Sequence, residues 1–165
     1  MRMRRRFGLL LFSGLLVALI LAVIASAATV IHEGKGPGRA RLGQVDSKAA
    51  GFLGKHTGLQ RDPNYGSRVV YVMGFGEKKA GRYPCEMLSD SAHKVFQFSF
   101  NAPVYVTAKG IKVGSSETQL TAAYPGMRRN HTPKFNHYIS GKRPYTDFWV
   151  LNTTKRVYQI IVRSK

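Results

Sequence analysis

Two segments of this sequence repeat one pattern 71 residues apart, and this constrains the fold more than any other feature. Residues 39–54 and 109–126 each contain a short extended stretch, a glycine, a helical stretch and a terminating glycine. The matched steps are Leu42–Gly43 and Val113–Gly114. A supersecondary unit that recurs in a sequence is typical of a repeat architecture, so the pattern predicts two tandem repeats.

Each repeat is predicted to open with a short helix. In the second, Ser116 and Gln119 have the spacing of a capping box, which predicts a helix over 117–124 that Pro125 and Gly126 end. In the first, residue 46 or 47 can cap a helix that reaches residue 53, before a terminating glycine at 54.

Six β-rich stretches follow the helices, three in each repeat. The runs lie at 68–73, 83–88, 94–100, 137–140, 145–151 and 156–162. In the third run, alternation predicts that Phe96, Phe98 and Phe100 share one face. The connections in the second repeat are short enough for an antiparallel meander.

These signals predict an α+β protein with two tandem helix-plus-antiparallel-meander repeats. The repeats form a continuous sheet with the helices on one face, and an N-terminal hydrophobic helix precedes them. The predicted units are a signal peptide or membrane anchor at 1–27, a flexible linker at 28–38, repeat 1 at 39–108 and repeat 2 at 109–165.

The N-terminal segment has the pattern of an export signal. Four arginines within residues 2–6 precede a nearly unbroken apolar run over 7–28, and Ala25–Ala27 supplies small residues for cleavage. The run is also long enough to stay in the membrane as an anchor. Both outcomes predict an exported protein, either extracellular or in the cell envelope, with possible membrane association through 7–28.

The rest of the chain is strongly basic. The whole sequence has a formal net charge of +18, and residues 1–27 hold four of its 26 basic residues and none of its 8 acidic ones, which leaves +14. Such an excess favours an acidic protein or an anionic envelope polymer as partner, although a solvated surface explains it equally well. No specific nucleic-acid motif accompanies it.

Basic and aromatic residues of the second repeat are the candidate binding residues, because Tyr, Trp and Arg commonly anchor protein interfaces. Phe148 and Trp149 are adjacent and therefore face opposite sides of a strand, so only one of them can fill the core. The predicted binding residues are Arg128, Arg129, Lys142, Arg143, Tyr145, Trp149 and Arg156.

Catalysis is the weaker interpretation. Cys85 is the single cysteine, and it could pair with His93 or His137, with Asp147 to orient the base. A lone cysteine is more often a small buried hydrophobe. The spacing of the histidines does not match a helical metal pair, so no metal ligand and no cofactor are predicted.

The stretch 110–117 is followed by Leu120, by the sequence Ala-Tyr-Pro-Gly at 123–126 and by three predicted strands. This arrangement resembles the αβ repeats of two families. These are the β-lactamase inhibitory proteins and the outer-membrane assembly lipoprotein BamE (SmpA). The resemblance implies a non-catalytic, protein-binding module. This chain lacks the stapling cysteines of the former and the lipid-bearing cysteine of the latter.

The sequence therefore predicts a non-catalytic, exported protein-binding or envelope-associated module with a basic surface. Two alternatives stay open. One is a small thiol- or metal-dependent hydrolase centred on Cys85 or His137. The other is a structural, membrane-anchored envelope protein.

Overall fold

The computed structural model describes residues 28–65 and 68–164, and the fold is given for those residues. The hydrophobic helix predicted for the N-terminal segment lies outside them. The described residues form eleven strands and two α-helices. The strands are β1 (Thr29–His32), β2 (Gly36–Pro37), β3 (Gln60–Arg61), β4 (Tyr71–Phe75), β5 (Cys85–Ser89), β6 (Val95–Phe100), β7 (Tyr105–Thr107), β8 (Arg128–His131), β9 (Phe135–Ser140), β10 (Tyr145–Leu151) and β11 (Val157–Arg163).

The helices are short. Helix α1 covers Asp46–Ala50, helix α2 covers Glu117–Ala123, and a 3-10 turn covers Pro63–Tyr65. The capping box of α2 is present, since the Ser116 hydroxyl accepts from the Gln119 N–H and the Gln119 side chain accepts from the Ser116 N–H. These bonds satisfy N–H groups that a helix start leaves without partners, so they fix where α2 begins.

Eight strands form one antiparallel sheet in the order β3-β4-β5-β6-β11-β10-β9-β8. The central pair is β6 and β11, where Phe100 lies opposite Ile160 and Phe98 lies opposite Val162. A second sheet has the order β2-β1-β7, and β1 runs parallel to β7.

The hydrophobic core lies between one face of the large sheet and the remaining elements. Alternation along β6, β10 and β11 turns every second side chain toward this face, where apolar burial stabilises the fold. Both helices and β1 contribute to the same core. Its fully buried members include Ile31, Ala49, Phe98, Phe100, Leu120, Phe148, Val150, Ile160 and Val162.

Two glycines connect the helical segments to the sheet. Gly43 and Gly114 have φ values of 81° and 93°, in the region that favours glycine. The Gly43 N–H donates to the carbonyl of Val95 at 2.7 Å, and the Gly114 N–H donates to that of Val157 at 2.8 Å. Each glycine therefore joins its segment to the first residue of β6 or β11.

The predicted α+β class is wrong. The described residues are mostly β, and their two short helices do not make the fold a pair of helix-plus-meander repeats. A cap fixes where a helix begins but not its length, and isolated helices of this size are marginal without tertiary contacts. The stretch 28–38, predicted as a flexible linker, instead contains β1 and β2, and Ile31 of β1 is fully buried.

Candidate functional site

Helices α1 and α2 pack on the same face of the large sheet, and we call the opposite face the open face. Side chains two residues apart on a strand share a face, so Asp147 and Trp149 of β10 both lie on the open face. Trp149 pairs with His137 of β9 and with Gln159 of β11. Phe148, between them in sequence, is fully buried in the core, whereas Trp149 is half-buried.

An aromatic cluster of Phe135, His137, Trp149 and Tyr158 covers part of the open face. The His137 and Trp149 ring centroids are 4.6 Å apart, and Phe135 lies 5.3 Å from both Trp149 and Tyr158. The guanidinium of Arg82 lies 4.4 Å from the centroid of Tyr158. All four rings are half-buried, so a partner can reach them.

A buried carboxylate organises this face. Asp147 Oδ2 accepts hydrogen bonds from Trp149 Nε1 at 3.0 Å and from Arg163 Nη2 at 3.2 Å, and it lies 3.6 Å from His137 Nδ1. The guanidinium of Arg163 in turn lies 5.0 Å from the ring centroid of Tyr145. Asp147 thus links the aromatic cluster to Tyr145 through Arg163.

A basic cleft of about 580 Å³ opens beside Tyr145. The β8–β9 register places Arg128 opposite Ile139, next to the turn that joins β9 to β10. The lining therefore combines the start of β8 with this turn. The residues of the basic cleft are Pro125, Gly126, Met127, Arg128, Ile139, Ser140, Gly141, Lys142, Arg143 and Tyr145. Three of these are cationic and none is acidic.

The structure brings together four of the seven predicted binding residues. Arg128, Lys142 and Arg143 are exposed and line the basic cleft with Tyr145. Trp149 lies in the aromatic cluster, connected to the cleft through the Asp147–Arg163 pair.

The other two predicted binding residues point elsewhere. Arg129 Nη2 lies 3.8 Å from Glu117 Oε1, and its guanidinium lies over the ring of Tyr138 on the helix-bearing side. Arg156 Nη1 donates to the carbonyl of Gly114 at 2.8 Å. The predicted set is therefore not one surface.

Another cavity, of about 320 Å³, lies at the middle of the open face, and the sequence pattern did not predict it. Burial raises the pKa of Glu86 there, although the nearby charge of Arg82 opposes this effect. Strand alternation would have placed several of its residues on one face, but the pairing of distant strands was needed to bring them together. The lining residues are Asp62, Tyr65, Val72, Glu86, Leu88, Gln97, Ser99, Trp149, Gln159, Ile161 and Arg163.

The residues of the hydrolase alternative occupy separate environments. Cys85 is fully buried in the core, where burial above all, together with the charge of Glu86, raises the pKa of its thiol. His93 Nδ1 lies 2.9 Å from Asp46 Oδ2, and His137 lies beside Asp147 on the open face. In residues 28–65 and 68–164, no three His, Cys, Asp or Glu side chains form a group suited to a metal ion.

The export segment predicted at 1–27 lies outside the described residues. Within the described part of the chain, no helix combines the length and apolar character that crossing a bilayer requires.

The chain is similar in structure to the uncharacterized protein YfeY from Escherichia coli. The two are 13% identical with a TM-score of 0.57, and the similarity covers 82% of this chain and 99% of YfeY. At this identity the similarity shows a shared fold alone. No protein-family model and no curated protein matches the sequence.

Proposed function

We propose that this protein is a non-catalytic binding module that holds an anionic partner in the basic cleft. The observation that carries the proposal is the meeting of Arg128, Lys142 and Arg143 with Tyr145 around one cleft, whose described lining residues include no acidic side chain. Clustered charge of one sign in a concave surface concentrates and orients ligands of the opposite sign.

The aromatic cluster extends this surface. Trp149 and Tyr145 belong to the residue types that contribute most to protein interfaces, and both are half-buried. The Asp147–Arg163 pair fixes their relative positions through the contacts to Trp149 Nε1 and to the Tyr145 ring. An aromatic surface beside a basic cleft suits a partner that is acidic and partly apolar.

The partner is an acidic protein or an anionic polymer of the cell envelope. This location follows from the export signal or anchor predicted for residues 1–27. The fold shared with YfeY adds no function, so the proposal depends on the cleft and on the charge.

A charge-reversal experiment tests the cleft. The probes are fluorescently labelled polyglutamate and polyphosphate, and their dissociation constants are measured by anisotropy at about 50 mM and about 300 mM NaCl. We expect Arg128→Glu/Lys142→Glu/Arg143→Glu to weaken binding of at least one probe by about tenfold or more at the lower salt concentration.

The matched control changes the same charge elsewhere. Lys55, Lys78 and Lys79 are exposed and lie in the other half of the sheet. Lys78 and Lys79 belong to the β4–β5 connection, and the Lys55 carbonyl accepts from the Gly76 N–H of the same connection at 3.3 Å. Their triple reversal to glutamate is expected to weaken binding by less than about threefold. Equal losses in the two variants would show that net charge, not the cleft, attracts the probes. Circular dichroism confirms that both variants fold.

A further inference from the structure

Strand β8 is the end of the large sheet. Within the described residues it pairs with β9 alone, and all four of its residues, Arg128–His131, are exposed. An edge strand presents a row of backbone N–H and C=O groups that can pair with another chain. The opposite edge, β3, has only two residues, so β8 offers the longer template.

The hydrogen-bond pattern identifies the backbone groups that face outward. The Thr132 N–H donates to the Phe135 carbonyl at 2.8 Å, and β8 continues in the same register, with Asn130 opposite His137. Hydrogen-bonded pairs alternate along an antiparallel ladder. The backbone groups of Asn130 therefore point toward β9, whereas those of Arg129 and His131 point toward the free edge.

The side chains of β8 differ in charge between the two faces. Arg128 lies on the open face and lines the basic cleft with Lys142 and Arg143. On the helix-bearing side, Arg129 already lies 3.8 Å from the carboxylate of Glu117. Among the described residues, the positive charge that has no carboxylate partner at this edge is therefore concentrated on the open-face side. A strand added there would be favoured if its acidic residues recur at every second position.

Arginines on an edge strand also prevent pairing between copies of this basic chain, because like charges would meet. The same residues attract an acidic strand. We infer that β8 accepts an extended acidic segment of a protein partner as a ninth strand, with its acidic side chains over the basic cleft. This inference rests on the proposed function, because it specifies the form of the anionic partner.

The first test uses a labelled synthetic peptide in which glutamate alternates with valine and threonine, so that all acidic side chains share one face. Two analogues carry backbone N-methyl groups, one at every glutamate and the other at every valine and threonine. In a given strand direction, with the acidic side chains over the basic cleft, only one of these sets can direct its N–H groups toward β8. We expect one analogue to bind about tenfold or more weakly than the parent and the other to bind about as well.

The second test removes a single outward donor from the protein. His131→Pro deletes the N–H that points to the free edge, a position where an edge strand tolerates proline. His131→Ala, the control, deletes the side chain and keeps this N–H. We expect the proline variant alone to weaken binding of the parent peptide, by about threefold or more.

The outcomes separate this inference from the proposed function. If the charge reversal weakens peptide binding but both N-methylated analogues bind like the parent, the cleft binds anions and the ninth strand is wrong. If polyphosphate binds at the cleft and the peptide does not, the partner is a polymer and the ninth strand is again wrong. If the charge reversal has no effect on any probe, the proposed function itself fails.

Discussion

Trp149 donates a 3.0 Å hydrogen bond from its indole Nε1 to Oδ2 of Asp147, two residues earlier on the same strand. The period of two places both side chains on the open face. The same carboxylate oxygen accepts from Arg163, whose guanidinium lies over Tyr145. One buried carboxylate thus holds together the aromatic cluster and the wall of the basic cleft.

Replacing Trp149 by phenylalanine should destabilise the protein. The variant keeps an aromatic ring but removes a donor to a buried charged acceptor, so we expect a loss of about 1.5–3 kcal/mol in the free energy of unfolding, measured in urea. Tyr158→Phe, which keeps its ring in the aromatic cluster and leaves Asp147 untouched, is the control. An unchanged stability in the Trp149 variant would mean that the bond does not support this face.

A substitution at Gly36 tests whether the segment 28–38 is part of the core. Gly36 has a φ of 137°, and an added Cβ would lie 2.6 Å from the Ala40 carbonyl oxygen and 2.8 Å from the Phe98 ring. Gly36→Ala should cost about 1–3 kcal/mol in overpacking beyond its backbone strain. Gly43→Ala is the comparison, because its Cβ would meet nothing within 4 Å and its φ is also positive. Equal losses in thermal unfolding would contradict the packing of β2.

Asp46 makes stability depend on acid pH. Burial raises the pKa of Asp46, but hydrogen bonds from His93, Ser89 and the Ser47 N–H together outweigh this effect and lower it from the ordinary value of 3.8. The folded state therefore binds this proton less readily than the unfolded state. The resulting stabilisation is complete above about pH 4 and is lost as the pH falls through the lower folded pKa.

Asp46→Asn should therefore flatten the dependence of the unfolding free energy on pH below about pH 4. Urea titrations at several pH values measure this effect. Asp90→Asn, a change in the exposed β5–β6 turn region, provides the comparison. Parallel pH profiles for the wild type and Asp46→Asn would show that Asp46 is not the source of the acid-dependent stability.

Cys85 should resist alkylation in the folded protein. Its thiol is fully buried and burial raises its pKa, so the thiolate that reacts with iodoacetamide is scarce and inaccessible. We expect labelling at about pH 8 to be roughly 100-fold slower than in urea, because it requires local opening. A cysteine placed at the exposed Ser47 in a Cys85→Ala background should react rapidly. Fast labelling of native Cys85 would restore support for the thiol hydrolase alternative.

Arg156 should matter for stability and not for anion binding. Its hydrogen bond to the Gly114 carbonyl predicts that Arg156→Ala loses about 0.5–1.5 kcal/mol on unfolding. Its affinity for polyglutamate should stay within about twofold of the wild type, whereas Arg128→Ala in the basic cleft should lose about threefold or more. If both variants lose affinity equally, the basic cleft is not the specific site of anion binding.

Local sequence signals correctly predicted the structural features that depend on neighbours in the chain. The capping box at Ser116 and Gln119 is confirmed, and β10 covers the predicted 145–151. The preferred interpretation of Cys85 as a small buried hydrophobe is confirmed as well. These features depend on hydrogen bonds, alternation or apolar character within a few residues.

The prediction that Phe96 shares a face with Phe98 and Phe100 is wrong. The β5–β6 register shifts after Leu88, so Ser89 pairs with Val95, which is buried in the core. Phe96 is half-buried and contacts the ring of Tyr65. A bulge places one extra residue on one strand, and the partner strand decides where it lies.

The basic charge, the start of α2 and six of the eleven described strands could be predicted from the chain, because each depends on composition or on short-range contacts. The mostly β class, in which β1 pairs with the distant β7, and the composition of the basic cleft could not, because they depend on contacts between residues far apart in the chain. Arg128 and Arg129 are adjacent in the chain, yet their side chains lie on opposite faces of β8. Which face becomes the cleft depends on the packing of both helices against the other side of the sheet, and that packing joins residues far apart in the chain.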